Sequence, residues 1–441
     1  MAWKIMKLGD VLINRDGRYK PNDKAIANLK RIDKINFSGT IFLSNKSSNT
    51  DMIIIKKGDL VISGINVEKG AIAVYEGDED VTATIHYSSY IFNTAKIDIE
   101  FLKVFLRSPD FIQLLKDQVP GGIKTEIKPK HILPLEVYFP DTLQEQRNIA
   151  NHFFEKEKKF VRLKGIISHQ LTQLENLNQA ILQEAVQGKL VKQDKKDESA
   201  SELLKRIKTE KAKSNKKEKP LPPIKPEEIP FEIPENWVWC RLGEICDNIT
   251  KGSSPNWQGA RYVSESEGIL FITSKNVDSF KIDLTKATYV EEKFNEIEPR
   301  SILKKGDILT NIVGASIGRT ALFDLNVVAN INQAVCILRI EHDLINKEYL
   351  LNLMNSNLAL NLMTDSSFAP GRANLSMGNI ANFPIPLPPL SEQKHIVEKI
   401  EKQLAKTKQL KEHIIANQQA TEHLLKALLH QAFEVEEMEE V

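Results

Sequence analysis

Two groups of residues have the types that metal-assisted phosphodiester cleavage needs, an aspartate followed by a glutamate and a lysine. They are Asp110 with Glu126 and Lys128, and Asp141 with Glu157 and Lys159. Carboxylates gathered at strand ends can hold a divalent cation beside a scissile phosphate. Asp110 instead falls within a stretch of helical periodicity, and Glu157 and Lys159 fall within a long helical segment. Neither group recurs in the internal repeat described below. "GASIGRT" (Gly314 to Thr320) resembles a phosphate-binding loop but is one residue short and lacks its lysine. Cys240, Cys246 and Cys336 fit no zinc spacing and no disulfide framework, and the nine histidines are scattered singly. Neither a glycine-rich adenosylmethionine loop nor an Asn-Pro-Pro-aromatic tetrapeptide occurs; "NFPIP" at Asn382 is not one. These residues form no catalytic constellation.

What organises the chain is an internal repeat. "KKGDLVISGINVEKGAIAV" from Lys56 and "KKGDILTNIVGASIGRTAL" from Lys304 lie 248 residues apart, with Gly58 and Gly70 answered by Gly306 and Gly318. "EFLKVFLRS" at Glu100 and "EYLLNLMNS" at Glu348 keep that offset, while Pro120-Gly121 and Pro134 recur 250 residues on. "LQEQRNI" at Leu143 meets "LSEQKHI" at Leu390, and "QAILQEAV" at Gln179 meets "KALLHQAF" at Lys426, each 247 residues apart. "KLGDV" at Lys7 and "RLGEI" at Arg241 are only 234 apart, so the second copy carries fourteen further residues before its KKGD motif. An ordered series of such matches is a tandem duplication.

Each copy opens with short β-rich runs separated by glycine and asparagine turns, with one helix expected over residues 100–115 and its counterpart over 347–363. Each then passes through a proline-rich edge or exit segment, "PLEVYFP" or "FPIPLPP", into about 45 helical residues. Thr142 with Glu145 fits a capping box. Phe160, Leu163, Ile167, Leu171, Leu174, Leu177 and Ile181 step by about 3.5 residues, as a coiled-coil seam does, and Leu410, Ile414, Leu424 and Leu428 take the matching places. A single stripe needs a partner, and the other copy supplies one. The predicted fold is α+β, with two globular mixed α/β domains separated by a pair of long antiparallel helices, pseudo-two-fold from the duplication. The expected boundaries are 1–141, 142–190 (helix), 191–234 (linker), 235–389 and 390–437 (helix). The linker, with twelve Lys or Arg against six Asp or Glu from Lys189 to Lys219, reads as mostly solvated, with a short helix over 202–213.

At 441 residues, with 41% apolar and 27% charged residues, the chain is of multidomain globular type. It has no apolar run of membrane-spanning length and no signal-like start, so a cytoplasmic location and no membrane association are expected. The net charge of +1 does not announce a polyanion ligand. Residues 1–141 hold twenty basic against eighteen acidic side chains, and 235–389 fourteen against seventeen.

The ordered motifs "RLGEI", "KGSSP", "KKGDIL", "IGR", "NQA" and "PIPLPPLSEQKHIVEKI" resemble the specificity (S) subunit of type I restriction-modification systems. So does "ILQEAVQGKLV" leading into "SELLKRIK", "PLPPI" and "EIPFEIPENWVWCRLGEI". The first half departs from the pattern, with "NRDGRYK" in place of "KGSSP" and no "NQ" pair near Ser88-Ser89. The resemblance implies two target-recognition domains, each reading half of a split double-stranded DNA site, and a helical spacer on which two methyltransferase (M) subunits dock, joined by two restriction (R) subunits. It implies no cofactor in this chain, with adenosylmethionine, magnesium and ATP on the partner subunits, and no catalytic activity of its own.

Reading DNA then calls for polar side chains on loops, since paired donors and acceptors discriminate base edges and cations hold phosphates. In the first half the candidates are Arg15, Arg18, Lys20, Asn45, Lys46, Asn66, Lys69, Lys124 and Thr125. In the second they are Lys251, Ser253, Ser254, Ser274, Lys275, Asn276, Arg319, Asn332, Gln333, Arg372 and Asn374. Leu143, Gln146, Leu390 and Gln393 are the candidate partner-binding positions at the helix starts. Two other readings stay open at this point: a coiled-coil scaffold whose globular parts bind proteins, and a single-chain nuclease or methyltransferase.

Overall fold

The structure, a computed structural model, describes residues 3–36, 39–67, 70–118, 126–213, 220–364 and 375–431. Contacts divide the chain into two units. One holds the residues up to His169 with those from Ile414 on, and the other is Gln170–His413. The division falls inside both long helices.

The two units repeat one plan. In the first, strand Trp3–Lys7 pairs antiparallel with Glu136–Pro140; in the second, Val238–Arg241 pairs with Pro384–Leu387. These two-stranded sheets hold the proline-rich pieces, which lack the donors a central strand needs. A four-stranded sheet follows in the order Leu12–Asn14, Tyr87–Phe92, Leu60–Ser63, Ile72–Val74, answered by Asn248–Lys251, Val335–Arg339, Asp307–Asn311, Thr320–Phe323. Each KKGD motif therefore enters a strand at the same place in the same sheet. Each unit also carries a second four-stranded sheet. The second unit adds a hairpin, Val277–Asp278 with Lys281–Ile282, whose like is not found among the described residues of the first.

The helix expected over 100–115 is two helices, Ile99–Leu106 and Pro109–Gln118, and its counterpart divides into Lys347–Met354 and Asn357–Thr364. Pro109 has no N–H to continue the first helix, and Ser108 Oγ accepts from the Phe111 N–H at 3.2 Å to begin the second. In the other copy Asn355 Nδ2 donates to Thr320 O (2.9 Å), and the Ser356 hydroxyl donates to Leu353 O (2.6 Å). These helices cover the sheets, and Phe101, Phe105, Phe111 and Phe139 form an edge-to-face cluster in the first core.

The long helices are Leu143–Val186 and Leu390–Gln431. Phe160, Ile167, Leu174 and Ile181, spaced by seven, are buried, as are Ile400, Thr407 and Ile414. A seven-residue step nearly regains one face, whereas a three-residue step swings about 60° from it. Leu163 and Leu177 accordingly sit outside the seam, 45% and 47% exposed. The expected seam on the second helix is corrected likewise. Leu410 and Leu424 are 50% and 56% exposed, and the Leu428 side chain lies outside those described. In the second unit Glu175 meets Lys411 (3.7 Å) and Asn178 meets Thr407 (2.7 Å), so the helices run antiparallel; in the first, Lys164 meets Glu422 (3.0 Å).

The described part of the linker is mostly exposed, as expected, but is anchored along one helix face. Ser199 caps helix Ala200–Ala212, whose Ala200, Leu203 and Ile207 enter the core of the second unit beside Cys240 and Leu242. The buried Arg241 guanidinium then gathers the carbonyls of Pro222 (3.0 Å), Pro223 (2.9 Å) and Asn382 (2.6 Å) and pairs with Glu228 (2.8 Å). The charged residues of the helix stay largely in solvent, while three apolar residues on one of its faces tie it to the core.

Candidate nucleic-acid interface

The repeated KKGD turn is built by its aspartate. Asp59 Oδ2 accepts from the Lys56 N–H at 2.9 Å, and Asp307 Oδ2 from the Lys304 N–H at 2.8 Å. The intervening glycines, Gly58 and Gly306, have φ of 89° and 91°, which a side chain resists. Each carboxylate also receives an arginine. Arg15 reaches Asp59 through Nε (2.5 Å) and Nη2 (2.7 Å), with the Ser89 hydroxyl adding a third donor at 2.8 Å. Arg339 reaches Asp307 through Nε (2.7 Å) and Nη2 (2.6 Å). The hydrogen bond to the carboxylate raises each guanidinium above its ordinary value, against the opposing effect of burial. Arg15, expected among the DNA contacts, is thus engaged in holding its own turn.

In the second unit the candidate loops are tied into one surface. A Cβ on Gly252 would stand 1.8 Å from Ile331 O, so the Lys251–Ser254 loop presses on the Ile331–Asn332 backbone as only glycine permits. Asn332 donates its N–H to Ile272 O (3.0 Å), which binds that loop to the next. Asn311, at the end of the KKGD strand, donates through Nδ2 to Ser274 O (3.0 Å) and Val277 O (3.1 Å), and its backbone pairs with Arg319 O (2.9 Å) and Gly318 N (3.0 Å). One buried asparagine therefore locks the 273–277 loop to the 311–319 loop.

On this surface Lys251, Lys275 and Arg319 are exposed, and Ser253, Ser254, Ser274, Asn332 and Gln333 are half-buried. The nearest carboxylate oxygen to the Arg319 guanidinium is Asp278 Oδ1, at 3.7 Å. Asn276 departs from expectation. It is fully buried, its Oδ1 accepting from the Thr273 N–H and hydroxyl (both 2.9 Å) and its Nδ2 donating to Asp283 O (3.0 Å) and Lys286 O (3.3 Å). It shapes the loop and offers nothing outward. Asp307 lies in the repeated KKGD motif, whereas Asn311 and Arg339 also carry the architecture without being candidates; the position of Asn311 at the end of a repeated strand was the available signal.

In the first unit Arg18 and Asn45 are exposed. Lys20 turns to Asp51 (3.1 Å) and Lys46 to Asp33 (3.6 Å), both remaining largely exposed. Asn66 is half-buried, its backbone carbonyl accepting from the Ala71 N–H at 3.2 Å. Lys69, Lys124, Thr125, Arg372 and Asn374 lie outside the described residues.

The two nuclease-like groups do not assemble. Asp110 lies in the first turn of a helix, Glu126 meets His86 Nδ1 (2.9 Å), Glu157 meets Arg107 (2.8 Å) and Asp141 meets Lys4 (2.5 Å). All three cysteines are buried, and none forms a disulfide among the described residues. Among the described residues, no cluster of three or more His, Cys, Asp or Glu is placed to hold a metal ion, and no helix is long and apolar enough to cross a membrane.

Both long helices begin with the same anchor. Gln146 Oε1 accepts from the Asp98 N–H (2.7 Å) while Nε2 donates to Pro140 O (3.1 Å); Gln393 Oε1 accepts from the Asn346 N–H (2.9 Å) while Nε2 donates to Pro388 O (3.0 Å). Both glutamines are buried, and Leu143 and Leu390 half-buried. The glutamines therefore dock each helix on its own unit and are not open to a partner, which corrects that expectation. The apolar side chains that do stand open on the helices include Val161 (67%), Leu163, Ile166, Leu177, Leu410 and Leu424.

Residues 234–417 match the family described as the type I restriction modification DNA specificity domain. The chain is 33% identical over 273 residues to the type I restriction enzyme EcoEI specificity subunit of Escherichia coli, covering 58% of this chain and 44% of that protein. It is 33% identical over 267 residues to the EcoAI specificity subunit of the same organism, covering 57% and 43%. The chain thus spans less than half the length of these relatives. In fold it is similar to a chain solved in work on complex assembly and conformational transition of the type I R-M system (TM-score 0.60, 20% identity, 98% of this chain and 97% of that one). It is also similar to the HsdS subunit from Thermoanaerobacter tengcongensis (TM-score 0.50, 20% identity, 98% and 96%).

Proposed function

We propose that this chain is a type I restriction-modification specificity subunit, which reads a bipartite DNA site without catalysing a reaction itself. Each unit reads one half-site in double-stranded DNA, and the paired helices carry two M subunits, with two R subunits completing the assembly in the cytoplasm. Adenosylmethionine, magnesium and ATP are bound by those partners. The observation that carries this reading is that two copies of one scaffold, locked by the same KKGD turn and the same glutamine anchor, present loops of different sequence. A common frame with divergent loops is what two readers of unrelated half-sites require. In the second unit Lys251, Lys275 and Arg319 contact the duplex, with Ser253, Ser254, Ser274, Asn332 and Gln333 between them; Arg18, Lys20, Asn45 and Lys46 serve in the first. The exposed leucines, isoleucine and valine of the long helices receive the M subunits.

The near-balanced charge of both units makes binding by the chain alone weak and salt-sensitive, so the partners supply part of the phosphate neutralisation. The test is to replace residues 235–389 with the corresponding segment of another specificity subunit and map methylated adenines in a host carrying the M subunits. One half-site changes and the other persists. A change in both, or methylation without sequence preference, overturns the reading.

A further inference from the structure

Phe280 is the one non-glycine residue with positive φ (67°) among those described. It occupies the second position of the two-residue turn, Ser279-Phe280, that closes the hairpin Val277–Asp278/Lys281–Ile282. That conformation is reserved for glycine or asparagine in turns, and a bulky aromatic adopts it only under strain. Strain of this kind is tolerated where burying the ring repays it, yet Phe280 is 40% exposed. The hairpin is also absent from the described part of the first unit and lies within the stretch where the second copy is fourteen residues longer. The duplicated scaffold does not need it.

The surroundings show where the turn stands. The Phe280 N–H donates to Thr320 O at 2.8 Å, next in sequence to Arg319. Asp278, the strand residue that precedes the turn, accepts from the Ser279 N–H (2.9 Å) and lies 3.7 Å from the Arg319 guanidinium. The Asn311 side chain holds Val277 O, so the base of the hairpin is fixed to the same asparagine that locks the polar loops. A half-exposed aromatic ring is therefore held rigidly beside an exposed cation on the loop surface.

We propose that Phe280 is a specificity-determining residue, whose ring packs on the 5-methyl group of a thymine in the major groove of the half-site read by the second unit. Among base edges in that groove only thymine offers an apolar group, and an apolar side chain is its complement. Arg319 beside it holds the neighbouring phosphate and sets the depth of the finger. This inference rests on the DNA-reading function proposed above.

The test uses the chain assembled with its M subunits and duplexes carrying the methylated site mapped in the host. Each thymine of the second half-site is replaced in turn by uracil, which removes only the methyl group. At one position the wild-type assembly loses about fourfold in affinity, the factor for one buried methyl-sized group. The F280G assembly binds the thymine duplex about fourfold more weakly than wild type and does not distinguish thymine from uracil there. Its thermal unfolding midpoint stays equal or rises, because glycine relieves the turn. The proposal is overturned if wild type is indifferent to uracil at every position, if F280G still discriminates, or if F280G lowers the midpoint or loosens the M subunits, which would make the ring a packing or assembly group. If the wild-type assembly does not prefer its mapped site to a scrambled duplex, the DNA-reading function itself fails.

Discussion

Removing the Asp307 carboxylate tests whether the repeated turn is what holds the reading surface. In Asp307→Ala, Arg339 loses both partners for Nε and Nη2 and keeps only Ile302 O, 2.7 Å from Nη2. The arginine side chain is 10% exposed and the aspartate 2%, so the stranded guanidinium has no easy route to water. Breaking a buried pair in this way costs about 3–5 kcal/mol, most of it the penalty of the unpaired charge. The equivalent Asp59→Ala should cost less, about 2 kcal/mol, because Arg15 is 23% exposed and can turn outward. Urea unfolding followed by backbone hydrogen exchange distinguishes the two, since exchange of Asp307–Asn311 and of Leu60–Ser63 reports each unit separately. The paired change Asp307→Leu with Arg339→Met removes both charges and should recover most of the loss. A single-variant effect under about 1 kcal/mol, or a double variant no better than the single, refutes the buried-pair argument.

Arg319→Ala should weaken DNA binding by the assembled complex and lower the slope of log affinity against log salt by about one, leaving subunit assembly intact; filter binding across a salt series and gel filtration read the two. Glu392 is buried, accepting from Trp237 Nε1 and Gln193 Nε2 (both 3.0 Å), and burial pushes its carboxyl above the ordinary range. Its stabilising contribution is complete below the unfolded value of about 4.3 and is lost as pH rises through the raised folded value. Glu392→Gln should therefore flatten the fall in stability over that window in thermal melts at stepped pH. Deleting one heptad from each long helix, residues 168–174 and 412–418, keeps the seam on one face and shortens the pair by roughly 10 Å at ~1.5 Å per residue. If the paired helices set the distance between the half-sites, the methylated site should then carry a spacer shorter by about three base pairs at ~3.4 Å each, and an active variant that keeps the original spacer refutes that role.

What was legible in the sequence is what repeats or alternates locally. The strand runs, the proline-rich edges and the long helices follow from neighbours in the chain, the duplication from motifs that recur in order, and the structure reproduces them. The coiled-coil seam shows the limit of that signal. Leu163, Leu177, Leu410 and Leu424 satisfy a 3.5-residue period, yet they are about half exposed, because the period says that a helix has apolar positions and not which stripe its partner covers. The break before Pro109 was available from proline chemistry, whereas the break at Asn355–Ser356 depends on a bond to Thr320 that no local pattern announces.

The site residues divide on the same ground. Side-chain type states what a residue can donate, but only folding decides whether another group has already accepted it. Arg15 and Asn276 have the chemistry of base or phosphate contacts and are committed to Asp59 and to the Asp283–Lys286 loop; Arg319, no more polar, stands exposed. The two arginines that hold the KKGD aspartates come from unlike places, Arg15 beyond the first strand of its sheet and Arg339 at the end of another, so the repeat itself could not reveal the pairing. The duplicated part was the carboxylate and its turn. Selection on a frame preserves the geometry of the turn, and the partner that satisfies it can arrive from any strand whose end lies within reach.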